Sequence, residues 1–347
     1  MDLQIIEKNF FPDVSIYRCE KNLYGNINKS YILYTSNDKK YLLQKINTIV
    51  FNDPVAVMNN AVLISEYLKT KGKTCLEYVY SIDGKPYFED EDKNFWRVMK
   101  FFPHTVSYSR ADDTLKAYRT GVAYGTFYKN LSDFSIDTLS ITIKDFHNKK
   151  KRFEDLKQSF ETTDRKRPHE FLLLSKMIET ILNDKAQINN MPLRVTHNDT
   201  KIDNLLFDET TGACVAVVDM DTVMPGYIID DFGDAARSVA STTDENEKNL
   251  NLISFDLEKF DAFAKGFLNK TAKIMTLSEK KALFYGIASI TAELACRFLT
   301  DYFNHDIYFN IQYHEHNFVR ALNQITLLKD ILLKQGEIKK IIEKNCK

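Results

Sequence analysis

The chain has 347 residues, too many for one ordinary core and suited to two lobes. Apolar residues make up 44% and charged residues 27%, with a net charge of -1, so charge alone gives no polyanion-binding surface and no case for nucleic acid. Five scattered cysteines (Cys19, Cys75, Cys214, Cys296, Cys346), a start without a basic-then-apolar segment and no apolar run of membrane length lead us to expect reduced thiols, a cytoplasmic location and no membrane partner.

Strands are expected over 15–19, 31–35 and 40–46, separated by the Asn- and Gly-containing stretch 22–30 and the Asn37-Asp38 turn. Asp53-Pro54 starts a helix in which Val57, Ala61, Ile64, Tyr67 and Leu68 fall near helical spacing. Lys71-Gly-Lys-Thr74 hints at a P-loop, but that motif needs glycine at position 67, which is tyrosine. Residues 75–103 read as two more strands around an Asp83-Gly84 turn, the last running Phe95 to Phe102 and stopping at Pro103. We therefore expect an N-terminal lobe over 1–103 and a C-terminal lobe over 104–347.

Beyond the boundary, helices are expected over 112–131, over 153–182 with a break at 162–168, and over 256–273, 278–304 and 317–343, the last with a frayed basic tail. In the 278–304 helix, Leu283, Ile287, Ile290, Leu294 and Phe298 form one buried stripe. Glu293, Arg297 and Asp301 follow at i, i+4 spacing, which reads either as a surface ion ladder or as a row with Arg297 reaching over a pocket. His314 and His316 lack a ligand cluster and read as surface residues.

The chemistry concentrates between 195 and 221. His197-Asn-Asp199 is followed by Lys201 and by Asn204, and Asp219 ends the apolar run Cys214 to Val218. This is the layout of a kinase catalytic loop and its metal-binding aspartate. Phosphoryl transfer asks mainly for positioning and charge neutralisation. Asp199 would accept the acceptor hydroxyl's proton, and Lys201, two residues on, would meet the γ-phosphate. Asn204 and Asp219 offer hard oxygens that suit Mg2+, while His197 braces the loop. Asp231-Phe-Gly233 spells the magnesium tripeptide of protein kinases, but it lies 32 residues past Asp199, whereas Asp219 lies 20 past and carries the strand context. Asp231 or Asp234 is then expected to cap the following helix and to brace the loop.

These stretches, with Asp219-Met-Asp-Thr-Val-Met-Pro-Gly226 and Asp230-Asp-Phe-Gly-Asp-Ala-Ala-Arg237, resemble the aminoglycoside phosphotransferase and choline kinase superfamily. Gly25-Asn-Ile-Asn28, Leu42-Leu-Gln-Lys-Ile-Asn47 with Val50-Phe51, Arg297-Phe-Leu-Thr-Asp-Tyr302 and Tyr308-Phe309 resemble the N-acetylhexosamine 1-kinases within it. The resemblance implies an α+β, two-lobed protein-kinase-like fold: a small antiparallel β lobe and a larger, mainly helical lobe, using ATP and Mg2+. It implies a loop over the phosphates at Gly25 and Asn28, and a strand residue on the phosphates. Gln44 and Lys45 alternate in facing, and charge favours Lys45, with Glu66 as a possible partner. Backbone groups from Lys100 to Phe102 would read the adenine edge. Asp221, Arg297 and Tyr308 would border a small-molecule sugar, with Tyr302 and Phe309 as further wall or as core.

The implied reaction moves the γ-phosphoryl of ATP to the anomeric hydroxyl of an N-acetylhexosamine. The alternatives are another hydroxyl acceptor (choline, an aminoglycoside or an amino-alcohol) and an inactive kinase fold used for binding. A cationic acceptor would call for clustered acidic or aromatic residues in the C-terminal helices. Arg297 among isolated acids fits a neutral sugar.

Overall fold

The computed structural model describes residues 3–22, 27–183 and 191–347. Strands β1 (Ile16–Asn22), β2 (Lys29–Thr35) and β3 (Lys40–Lys45) pair antiparallel in that order, with Ser30 opposite Gln44. β4 (Tyr78–Val79) and β5 (Phe88–Glu89) pair with β6 (Phe95–Lys100), which joins β3 and sets Gln44 opposite Arg97. Alternation sends Leu33, Tyr41, Leu43, Trp96 and Val98 to the outer face, where Ile6 and Phe10 of helix α1 (Leu3–Phe10) cover them. The inner face turns toward α2 (Pro54–Thr70), and Ile46 packs there with Val57 and Met58. The Asp53 side chain caps α2 by accepting the Ala56 N–H at 2.9 Å.

The second lobe carries two small antiparallel sheets. β7 (Thr105–Val106) pairs with β9 (Leu205–Asp208), which also pairs with β10 (Cys214–Val217), and β8 (Arg194–Thr196) pairs with β11 (Met224–Gly226). Around them lie α3 (Thr114–Leu131), α4 (Lys149–Thr162), α5 (Pro168–Asn183), α6 (Ile228–Ala240), α7 (Leu257–Thr271), α8 (Leu277–Phe303), α9 (His316–Leu333) and α10 (Gln335–Asn345). The architecture is the expected α+β one, an antiparallel β lobe on a helical lobe.

Gly233 of α6 meets Gly286 of α8 so closely that a Cβ on Gly233 would lie 2.4 Å from the Gly286 carbonyl. The glycine of Asp231-Phe-Gly233 thus serves helix packing, and the resemblance to a metal-binding tripeptide is coincidental. α6 begins at Ile228, so Asp231 and Asp234 sit inside the helix and do not cap it. The single closing helix expected over 317–343 is two helices, α9 and α10, joined at Lys334. The Lys334 ammonium there bonds Asp330 at 2.7 Å and the Phe255 carbonyl at 2.8 Å. Ile338 and Ile342 are buried, so the basic tail packs and does not fray. Helix α8 is long and apolar enough by composition to cross a membrane, but 89% of its most apolar window is buried inside the lobe.

Candidate active site

The segment after β8 is held from behind by two helices. Asp231 of α6 accepts the backbone N–H of His197 at 2.6 Å and of Asn198 at 2.9 Å, and the hydroxyl of Tyr128 from α3. Asp234 accepts the Thr200 N–H at 3.0 Å and pairs with Arg237 at 2.7 Å. Tyr124 of α3 donates to the Lys201 carbonyl at 2.6 Å. His197 is fully buried against Tyr124 and Phe127, and its Nε2 bonds the Val218 carbonyl at 2.9 Å. Burial holds its pKa below the usual imidazole value, so it braces the turn as a neutral ring.

This frame fixes the reactive groups. Asn198 and Asp219 both adopt left-handed backbone, with φ of 63° and 60°. Such strain at non-glycine residues is characteristic of functional turns. Asp199 lies 3.2 Å from the Lys201 ammonium and accepts the Asn204 amide at 2.9 Å. Burial raises the Asp199 carboxyl, but the Lys201 charge and the Asn204 hydrogen bond outweigh it and keep the group below the ordinary carboxylate range. In return Asp199 holds Lys201 well above its usual value.

Asp199, Lys201, Asp203, Asn204, Asp219, Asp221, Gln44 and Asn28 line one cavity between the lobes. Asp219 opens onto it. Crowding by protein, then the Asp221 and Asp199 carboxylates, push the Asp219 carboxyl up to about 7. A carboxylate so placed favours a cation. Among the described residues no group of three or more His, Cys, Asp and Glu side chains forms a metal cage. One carboxylate and one amide oxygen nonetheless suit Mg2+, which usually keeps waters and phosphate oxygens as its other ligands.

A second cavity shares Asp199 and Lys201 and runs deeper into the helical lobe. Its far wall brings in Arg297, Tyr308 and Phe309, with His147, Glu293 and the apolar Ile143, Ile290, Leu294 and Phe298.

The model of the phosphotransferase enzyme family matches residues 22–263, more than half of the chain. The chain belongs to the phosphotransferase enzyme family. Solved structures similar to this phosphotransferase include a microcompartment-associated aminopropanol kinase, 12% identical with a TM-score of 0.68 over 97% of this chain and 99% of the other. An aminoglycoside phosphotransferase from Alicyclobacillus acidocaldarius is 14% identical, with a TM-score of 0.64 over 99% and 97%. A choline kinase from Cryptosporidium parvum is 13% identical, with a TM-score of 0.60 over 99% and 98%. At these identities the likeness is one of fold.

Several expected positions of this phosphotransferase fall elsewhere. Gly25 lies outside the described residues. Asn28 does reach the cleft, but its amide bonds Asp221 at 2.6 Å. Lys45 is corrected: it extends on the outer sheet face, 5.8 Å over the Trp96 ring, and Gln44 faces the cleft. Parity along β3 decides this. Glu66 is exposed on α2, and Met58 occupies the helix position facing the sheet cation. Lys100 points its side chain to Glu77 at 2.6 Å, and its amide bonds the Glu77 carbonyl, while the Phe102 carbonyl accepts from Thr105.

Asp221 does not border the second cavity. It is 2% exposed and both its oxygens are taken, one by Arg97 and one by Asn28. Arg297 does reach the far chamber, its guanidinium 5.4 Å from Phe146, 5.6 Å from Tyr308 and 5.4 Å from Phe309. Glu293 and Asp301, each 4% exposed, are not a surface ladder. Glu293 bonds His147 at 3.0 Å, and Asp301 accepts the Tyr308 and Phe309 amides at 2.8 and 2.9 Å. Tyr302 is buried core, and His316, also buried, bonds Asn246 at 2.8 Å.

Sequence reading missed Arg97 and His147. A lone arginine in Phe95-Trp-Arg-Val-Met99 was the available signal for the first. Nothing local marks the second.

Proposed function

We propose that this phosphotransferase is an ATP-dependent sugar 1-kinase that phosphorylates the anomeric hydroxyl of N-acetylhexosamines. The observation that carries the reading is the chamber joining Asp199 and Lys201 to Arg297, Tyr308 and Phe309. Asp199 holds the acceptor hydroxyl, orients it and takes its proton as the bond to phosphorus forms. Lys201 offsets charge gathering on the transferred group. Asn204 and Asp219 would hold a divalent ion, which would supply neutralisation of phosphate charge. Tyr308 and Phe309 offer ring faces to a sugar, and Arg297 offers donors to its oxygens.

The charge inventory supports a neutral acceptor. Each acid of the chamber already has a partner: Asp199 with Lys201, Asp234 and Glu245 with Arg237, and Glu293 with His147. Among the described residues lining the chamber no acid is left unpaired, and the aromatic faces of Phe146, Tyr308 and Phe309, which could otherwise meet an ammonium as in choline, already carry the Arg297 guanidinium. The test is ADP release on a panel of N-acetylglucosamine, N-acetylgalactosamine, plain hexoses, choline, aminopropanol and an aminoglycoside. Turnover on N-acetylhexosamines alone supports the reading. Preference for a cationic acceptor contradicts it, and no release with any acceptor, in protein that binds ADP, favours a binding module.

A further inference from the structure

Three inner-face residues stand at one level of the N-terminal sheet: Ser30 opposite Gln44, and Gln44 opposite Arg97. They form a continuous hydrogen-bonded row. Arg97 donates to the Gln44 carbonyl oxygen twice, from Nε at 2.9 Å and from Nη2 at 2.7 Å. The Gln44 amide nitrogen then donates to Ser30 Oγ at 3.0 Å. At the other end the guanidinium Nη1 pairs with Asp221 of the helical lobe. The Asn28 side-chain Oδ1 accepts the Asn47 N–H at 2.9 Å, and its Nδ2 donates to Asp221, which ties the loop before β2 to the same carboxylate.

This row has a definite polarity. A guanidinium has only donors, so the glutamine oxygen must point at Arg97 and the NH2 must point away from it. Ser30 takes one of the two amide hydrogens. The other belongs to a side chain on the wall of the cavity that holds Asn204 and Asp219. Among the described residues lining that cavity, the N-terminal lobe contributes Ile27, Asn28, Ser30, Gln44 and Phe51, none of them charged.

We propose that Arg97 is a positioning residue of the nucleotide site. It locks the Gln44 amide with its N–H toward the phosphates, and its ion pair with Asp221 fixes the lobes in register. The β lobe thereby contacts the nucleotide through an oriented neutral donor, and its cation stays one residue behind, buried on Asp221. This rests on the cleft being the nucleotide site.

The test is calorimetric titration of the full chain with ADP, with and without Mg2+, alongside thermal unfolding. Gln44→Glu keeps an acceptor for Arg97 but deletes the amide donor of this side chain and faces the phosphates with charge. It is expected to fold at least as stably as wild type and to bind ADP about tenfold or more weakly, a typical consequence of losing one hydrogen bond to a charged group. Arg97→Lys keeps a charge for Asp221 but loses the fork that grips Gln44. It is expected to weaken ADP binding several-fold with the acceptor KM unchanged. Wild-type protein that fails to bind ADP overturns the nucleotide-site reading and the proposal with it. Wild type that binds, with folded Gln44→Glu or Arg97→Lys matching its affinity, overturns the proposal alone.

Discussion

Arg97 and Asp221 form an ion pair between the lobes with only 2% and 3% of their side chains exposed. A buried pair is costly to break from one side, because the partner is left charged and desolvated. Arg97→Met is therefore expected to lose about 3–5 kcal/mol of stability. Adding Asp221→Leu should restore part of that loss. Chemical denaturation of both single variants and the double variant checks this, and a double-variant loss equal to the sum of the two single losses would mean that the pair is not coupled.

The glycine contact between α6 and α8 gives a second prediction. Gly233→Ala puts a methyl into the Gly286 backbone and is expected to cost about 1–3 kcal/mol or more, as overpacking does. ADP affinity of the folded fraction should stay at the wild-type value. Loss of nucleotide binding at full stability would instead revive a metal-binding role for Asp231-Phe-Gly233.

Asp301 holds the proposed acceptor wall by accepting the amides of Tyr308 and Phe309. Asp301→Asn keeps one oxygen and turns the other into a donor facing an N–H. The acceptor KM is expected to rise about tenfold, the worth of one hydrogen bond to a charged group. The KM for ATP should not move. Steady-state kinetics with each substrate varied in turn reads the difference, and parallel rises in both would contradict a role confined to the wall.

Glu293 gives a pH prediction. Burial raises its carboxyl, but the His147 charge and hydrogen bond outweigh this, with help from Lys149 and Arg297, and bring it down to about 2. Its folded value lies below its unfolded one. The stabilisation is therefore present above about pH 4.3, the unfolded value of glutamate, and is lost as pH falls toward 2. The stability gap between wild type and Glu293→Gln should be widest above that range and close below it. A gap that is constant across these pH values would mean that the pair contributes nothing through its charge.

The fold class was legible because strand alternation, Asp53-Pro54 and the α8 stripe are local signals. That Asp199, Asn204 and Asp219 line one cavity was legible because one short loop and one strand end carry them. What failed to show were choices that depend on distant partners. Only the sheet register turns Gln44 inward and Lys45 outward, and only the approach of the two lobes gives Asp221 to Arg97. Asp231 reads as a helix cap and a loop brace: the start of α6 at Ile228 removes the cap, and the β8 turn supplies the donors of the brace. His147 meets Glu293 across 146 residues, a pairing that no spacing rule reaches.

The central claim is that Asp199 serves as the base of a phosphoryl transfer between bound nucleotide and acceptor. Asp199→Asn, assayed for ADP binding by calorimetry and for phosphorylated sugar by ADP release, tests it most directly. ADP binding close to wild type with turnover reduced at least about a hundredfold, the usual contribution of a general base, is the predicted result. Turnover unchanged in the variant would contradict the account.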